Sequence, residues 1–89
     1  MIWRNIKANS NLIQHETEKA VLIKLPKSKM KFWHPKKLVR FEGKNDYLMS
    51  IGITDDFEVR LFRNGEGQYN RTDVLEEEEI SGAELIERF

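Results

Sequence analysis

Apolar and polar positions alternate along much of this chain in short stretches, a period typical of β-strands with one buried face. The strongest strand pattern is the apolar run at residues 20–25, which Pro26 ends before it reaches normal helix length. Residues 30–34 alternate in the strand period and are closed by Pro35. We predict that these two segments pair as a hairpin.

Further strands are predicted on both sides of this hairpin. Residues 1–7 form an arm or an edge strand, residues 12–16 and 38–41 are extended, and residues 47–53 alternate again. A second hairpin joins residues 57–63 to residues 68–75, because the Asn and Gly of residues 64–67 tolerate positive φ. In residues 47–53 and 57–63, the positions predicted to face inward are apolar. They are Tyr47, Met49, Ile51, Ile53, Phe57, Val59 and Leu61.

Ser81 and Glu84 have the spacing of a capping box, which predicts a short C-terminal helix with an apolar stripe. The pattern therefore predicts a mainly β, α+β fold: a small, strongly bent antiparallel sheet or barrel with that helix. With 89 residues the chain can build one hydrophobic core, so we expect a single domain over residues 1–89.

The composition narrows the chemistry. The chain has no cysteine, which excludes thiol chemistry and suits a reducing cytoplasm, and no apolar run approaches a membrane span. His15 and His34 lack partners at metal-ligand spacing, and His15 is interpreted as a surface imidazole. No nucleophile elbow or phosphate-binding glycine loop is present. We therefore expect a cytoplasmic, non-catalytic protein without metal or cofactor, as a monomer or a small homodimer.

Charge is distributed unevenly although the net charge is zero. Residues 1–43 carry +7 and the remainder carries −7. Such a split indicates either a basic surface for an anionic partner or two faces that neutralise each other. The glutamates at residues 76–79 are interpreted as a solvated run.

Residues 24–40 combine seven basic side chains with three aromatic rings, a composition that suits nucleic acid. If Phe32 faces the core, strand parity places Trp33 on the opposite face among lysines. The alternative is a Trp33 packed under the N-terminal arm or the helix. The candidate nucleic-acid-binding residues are Lys29, Lys31, Trp33, Lys36, Lys37 and Arg40, and all but the last are expected to form one face.

Two other partner classes stay open. The acidic half could act as a protein-binding inhibitor or adaptor, in which the glutamates mimic a phosphate backbone or meet a basic partner surface. Alternatively, an exposed strand edge could pair with a second copy in a structural subunit. Residues 16–20 (Glu-Thr-Glu-Lys-Ala) and 32–36 (Phe-Trp-His-Pro-Lys) resemble segments of small uncharacterised proteins of bacterial phages and mobile elements. The resemblance spans about a quarter of the chain, from residue 16 to residue 36. It implies a mobile-element accessory protein and carries over no catalytic residue.

Overall fold

A computed structural model describes residues 2–65 and 73–89 and contains eight strands and one helix among them. All pairings between strands are antiparallel. The elements are β1 (Trp3–Asn9), β2 (Ile13–Glu16), β3 (Ala20–Lys24), β4 (Lys31–Pro35), β5 (Val39–Glu42), β6 (Leu48–Thr54), β7 (Glu58–Asn64), β8 (Val74–Ser81) and α1 (Gly82–Glu87). The mainly β fold with a short C-terminal helix is therefore confirmed.

The strands divide into two sheets, and neither sheet closes on itself within the described residues. Sheet A has the order β1-β6-β5, and sheet B has the order β2-β3-β4-β7-β8. The predicted hairpin of β3 with β4 is confirmed, with Leu22 opposite Trp33. The predicted edge position of the first segment is also confirmed, because β1 borders sheet A.

One hydrophobic core is shared by the inner faces of both sheets. Ile6, Met49 and Ile51 enter it from sheet A, while Ile23 and Phe32 enter it from sheet B. Each of these side chains is almost completely buried, and full burial of such a side chain stabilises a fold by about 1.5–3 kcal/mol. The outer faces of the two sheets therefore lie on opposite sides of this core and are the two large surfaces open to a partner.

Sheet B has a seam between β4 and β7. β3 and β4 pair along their whole length, whereas β4 and β7 share a single pair, Lys31 opposite Phe62. Beyond that pair, β4 contacts sheet A through a side chain, because the imidazole Nε2 of His34 lies 2.8 Å from the carbonyl oxygen of Gly52 on β6. This contact ties sheet B to sheet A under the surface that carries Trp33.

The helix α1 follows β8 directly and is capped as predicted. The Ser81 hydroxyl accepts a hydrogen bond from the backbone N–H of Glu84 at 3.2 Å, and Leu85 is fully buried in the core. Gly82 is required where the helix begins, since an added Cβ would lie 1.9 Å from the carbonyl oxygen of Thr54. In the described part of the chain, no helix combines the length and apolar character needed to cross a membrane.

Two element predictions need correction. The strand that pairs with β7 is Val74–Ser81, not residues 68–75, and it includes the four glutamates interpreted as a solvated run. Residues 66–72 lie outside the described residues, so the predicted turn is described only at Asn64 and Gly65. Tyr47 precedes β6 and is half exposed, because the inward alternation begins at Met49.

Candidate nucleic-acid interface

Strand β4 presents its side chains to two different environments. Phe32 and His34 are buried in the core, whereas Trp33 between them is 44% exposed on the outer face of sheet B. This is the parity expected from the sequence, and it arises because successive strand residues point to opposite faces. The alternative of a packed Trp33 is wrong, since nearly half of its surface is open to solvent.

Trp33 stands in a row of side chains that crosses three strands. His15 of β2 and Leu22 of β3 are its neighbours in register, and Leu22 is nearly buried between the two rings. The His15 and Trp33 ring centroids are 6.1 Å apart at 86°, an edge-to-face arrangement that orients the indole. His15 is exposed, as expected for a surface imidazole. An oriented, half-exposed indole is a ready stacking platform.

The next row on the same face is cationic. Lys24 of β3 lies opposite Lys31 of β4, whose Nζ is 5.6 Å from the centre of the Phe62 ring. Lys24, Lys29, Lys31 and Arg63 line a depression of about 210 Å³. We call His15, Leu22, Lys24, Lys31 and Trp33 the Trp33 surface. Across β2, β3 and β4 the one acidic residue is Glu16, which forms an ion pair with Lys36.

The remaining candidate residues do not all share this face. Lys36 and Lys37 lie in a 3₁₀ turn, Lys36–Leu38, through which the chain passes from sheet B to sheet A. Arg40 follows on β5, and with Lys37 it lines a groove on the outer face of sheet A. The expectation of one face for Lys29, Lys31, Trp33, Lys36 and Lys37 is therefore wrong, because Lys37 turns toward the second surface.

The other half of sheet B, built from β7 and β8, carries matched charges. Arg60 pairs with Glu79 at 3.1 Å, Arg63 with Glu76 at 2.9 Å, and Arg88 with Glu78 at 2.7 Å. The Arg88 guanidinium donates to both carboxylate oxygens of Glu78 and so lowers the pKa of that carboxyl. Three of the four glutamates of the acidic run are thus neutralised by arginines.

His34 lies beneath the Trp33 surface as a buried, uncharged side chain. Its ring contacts Phe32 and Phe57, at centroid distances of 6.0 and 5.5 Å, and is 1% exposed. Burial lowers the pKa of His34, although the Gly52 carbonyl partly offsets this effect. Nδ1 of His34 is buried without a hydrogen-bond partner among the described residues. A proton placed there would leave a buried cation without a counter-ion.

Sequence reasoning missed the groove of sheet A and its aromatic residue, Trp3. Trp3 lies on β1, which pairs with β6, so its neighbours come from a segment about fifty residues away. No local pattern in residues 1–7 carries that information. The one available signal was a second tryptophan close to basic residues, Arg4 and Lys7.

Within residues 2–65 and 73–89, no group of three or more His, Asp or Glu side chains is arranged to hold a metal ion. No protein-family model, curated protein or solved structure matches the chain.

Proposed function

We propose that this protein is a small, non-catalytic binding module that contacts single-stranded nucleic acid, free or within a nucleic-acid-processing complex, through the Trp33 surface. The observation that carries the proposal is a half-exposed tryptophan on a sheet half whose outward charges are lysines. Aromatic stacking and phosphate neutralisation are the two interactions on which sequence-tolerant single-strand binding depends.

Each part of the Trp33 surface has a separate role in this proposal. Trp33 stacks on a base, and its edge contact with His15 keeps the indole oriented before binding. Lys24 and Lys31 neutralise phosphates in the adjacent row, and each contact releases condensed counter-ions. A phage or mobile-element setting, which the resemblance of residues 16–20 and 32–36 implies, suits such a module, as does the cytoplasmic location expected from the composition.

The pairing of the glutamates favours this proposal over a protein-binding inhibitor that acts through its acidic half. Mimicry of a phosphate backbone needs carboxylates without internal partners, yet Glu76, Glu78 and Glu79 each face an arginine. A protein partner, including a second copy at an exposed strand edge, becomes the preferred alternative if nucleic acid does not bind.

The test is a titration of labelled single-stranded and double-stranded oligonucleotides at two salt concentrations. Trp33→Ala should weaken single-strand binding by roughly 1–3 kcal/mol with the fold retained, because the side chain is half exposed. Lys31→Gln should reduce the slope of log affinity against log salt by about 0.7, the value for one phosphate contact on a single strand.

The matched control is Arg60→Gln, which removes a cation from the ion-paired half of the same sheet. It should leave the salt slope unchanged. Absence of binding by the unmodified protein even at low salt would reject the proposal, and loss of stability in Trp33→Ala would show that the ring serves packing instead.

A further inference from the structure

The outer face of sheet A forms a groove of about 590 Å³ on the side of the core away from the Trp33 surface. Asn5, Ser50 and Gly52 lie along its floor, while Trp3 and Arg40 come from the two flanking strands. We call it the Arg40 groove. Its volume falls within the range of about 300–1,000 Å³ that is usual for ligand sites.

The floor of the Arg40 groove is kept low by small residues. Gly52 is one of them, and the backbone of Leu38 approaches it closely, since a Cβ added at Gly52 would lie 3.3 Å from the Leu38 carbonyl oxygen. Ser50 is the neighbouring outward residue on β6 and is nearly buried. Small, closely packed residues therefore form the floor of the groove, and the larger Trp3 and Arg40 side chains border it.

The charged residues around the Arg40 groove are three cations and one carboxylate, so the groove has a net positive charge. Lys7 is paired with Glu42, but neither Lys37 nor Arg40 forms an ion pair with any residue the structure describes. Trp3 is 57% exposed. The groove thus repeats the chemistry of the Trp33 surface, an exposed indole with uncompensated cations, in a second place that involves other strands.

The two surfaces are connected along the outside of the β4–β5 crossover. Pro35 lies two residues beyond Trp33 on the same face of β4. It borders a depression of about 460 Å³ with three lysines and one glutamate, namely Glu18, Lys19, Lys36 and Lys37, and Lys37 also lines the Arg40 groove. A basic track therefore runs from Trp33 past Pro35 and Lys37 to Arg40.

We propose that the Arg40 groove is a second contact for the same single strand of nucleic acid, in which Trp3 stacks on a base and Lys37 and Arg40 contact phosphates. This inference rests on the proposed function. Two linked contacts raise affinity through effective concentration once a strand is long enough to reach both. Short oligonucleotides then occupy the two surfaces separately, and longer ones bridge them.

The experiment uses the fact that the chain has two tryptophans, Trp3 and Trp33. Trp33→Phe leaves Trp3 as the one indole fluorophore, and Trp3→Phe leaves Trp33. Each variant is titrated with unlabelled single-stranded oligonucleotides of about 4 to about 16 nucleotides, the range of known single-strand sites. The proposal expects a long oligonucleotide to quench both indoles at a stoichiometry of one strand per protein.

Arg40→Gln in the Trp33→Phe background should weaken quenching of Trp3 by the long strand on the order of tenfold in affinity. Arg60→Gln in the same background is the control and should change nothing, since Arg60 lies on β7 with Glu79. Circular dichroism and melting curves of each variant establish that the fold is retained.

The outcomes separate this inference from the proposed function. Quenching of Trp33 alone, with full affinity in Arg40→Gln, overturns the second contact and leaves the proposed function standing. Quenching of Trp3 alone places the contact in the groove and rejects the Trp33 surface and the two-contact track. Quenching of neither indole, together with no change in the anisotropy of a labelled strand, rejects both proposals.

Discussion

The two halves of sheet B show how differently the same residue types can be used. In the β2–β4 half, Lys24 and Lys31 stand beside Trp33, and the single glutamate of these strands lies at the end of β2. In the β7–β8 half, glutamates of β8 face two arginines of β7 and Arg88, which follows α1. The charge of a segment alone therefore does not identify a binding surface. What matters is whether the strand opposite supplies the counter-charge.

The matched pairs of the second half contribute little to folding stability. Exposed ion pairs are worth about 0–1 kcal/mol each, and those of β8 are solvent-exposed. Their position suggests another role, because β8 is an edge strand of eight residues. Charged side chains along a sheet edge oppose pairing with another chain. The glutamates thus protect an edge, whereas the lysines of the first half are available to a partner.

The largest effect is expected from substitutions in the core, which test whether the two halves of sheet B differ only on their outer faces. Ile23→Asp and Val59→Asp each place a carboxylate in the shared core, one from each half. An unpaired buried charge costs more than a small domain can supply from about 5–15 kcal/mol of stability. Both variants should be unfolded by circular dichroism.

Lys24→Asp is the surface control for this pair and should remain folded, because Lys24 points outward on β3, opposite Lys31. If Val59→Asp unfolded only β7 and β8 while β2–β4 kept their structure, the halves would be separate folding units and the shared core would be wrong.

An intermediate effect is expected from His34, since the β2–β4 half covers a buried titratable group. The unfolded chain takes up a proton at His34 near its ordinary pKa of 6.5, whereas burial lowers the pKa in the folded state. The unfolded state therefore binds more protons below about pH 6.5, and the free energy of unfolding falls as the pH falls below this value. Urea unfolding at a series of pH values from 8 to 5 measures the slope.

The same titration of His34→Gln should show a flatter dependence over this range. His15→Gln is the matched control, because it removes an imidazole from the exposed outer face instead of the core. A His34→Gln curve parallel to that of the unmodified protein would assign the pH dependence to other groups.

The smallest effect is expected from Glu77→Lys. Glu77 lies on the outer face opposite Phe62 and forms no ion pair with the residues described for this chain. Its replacement should change the free energy of unfolding by no more than about 0.5 kcal/mol. Glu78→Lys should lower the melting temperature further, because it places a like charge against Arg88. Equal effects of the two variants would show that the pairing on β8 is not what distinguishes its glutamates.

Local sequence patterns predicted the parts of the fold that depend on neighbouring residues. The alternation around Phe32 and Trp33, the stop at Pro26 and the cap of Ser81 on Glu84 each act within a few residues, and each is confirmed. However, the alternation of inward and outward side chains along one strand does not continue through a turn. Arg40 could not be placed from Trp33, because the Lys36–Leu38 turn moves the chain to another sheet.

The features that the sequence patterns did not predict depend on strand partners that are distant in sequence. Glutamates have low strand propensity, so residues 76–79 alone do not predict a strand. They form one because β7 lies beside them with Val59 opposite Ile80 and Arg60 opposite Glu79. Similarly, the burial of Ser50 and the groove under Trp3 follow from the pairing of β1 with β6.

That pairing also has a consequence for the rate of folding. β1 and β6 match from Trp3 opposite Thr54 to Asn9 opposite Leu48, so forming them closes a loop that contains β2 to β5. Closing this long loop costs conformational entropy before any stabilising contact forms. The β3–β4 and β7–β8 hairpins require the closure of much shorter loops. During synthesis β1 emerges first but cannot pair until β6 has emerged, so we expect sheet A to form later than the β3–β4 hairpin of sheet B. Until it forms, the inner face of β6 is exposed to other chains.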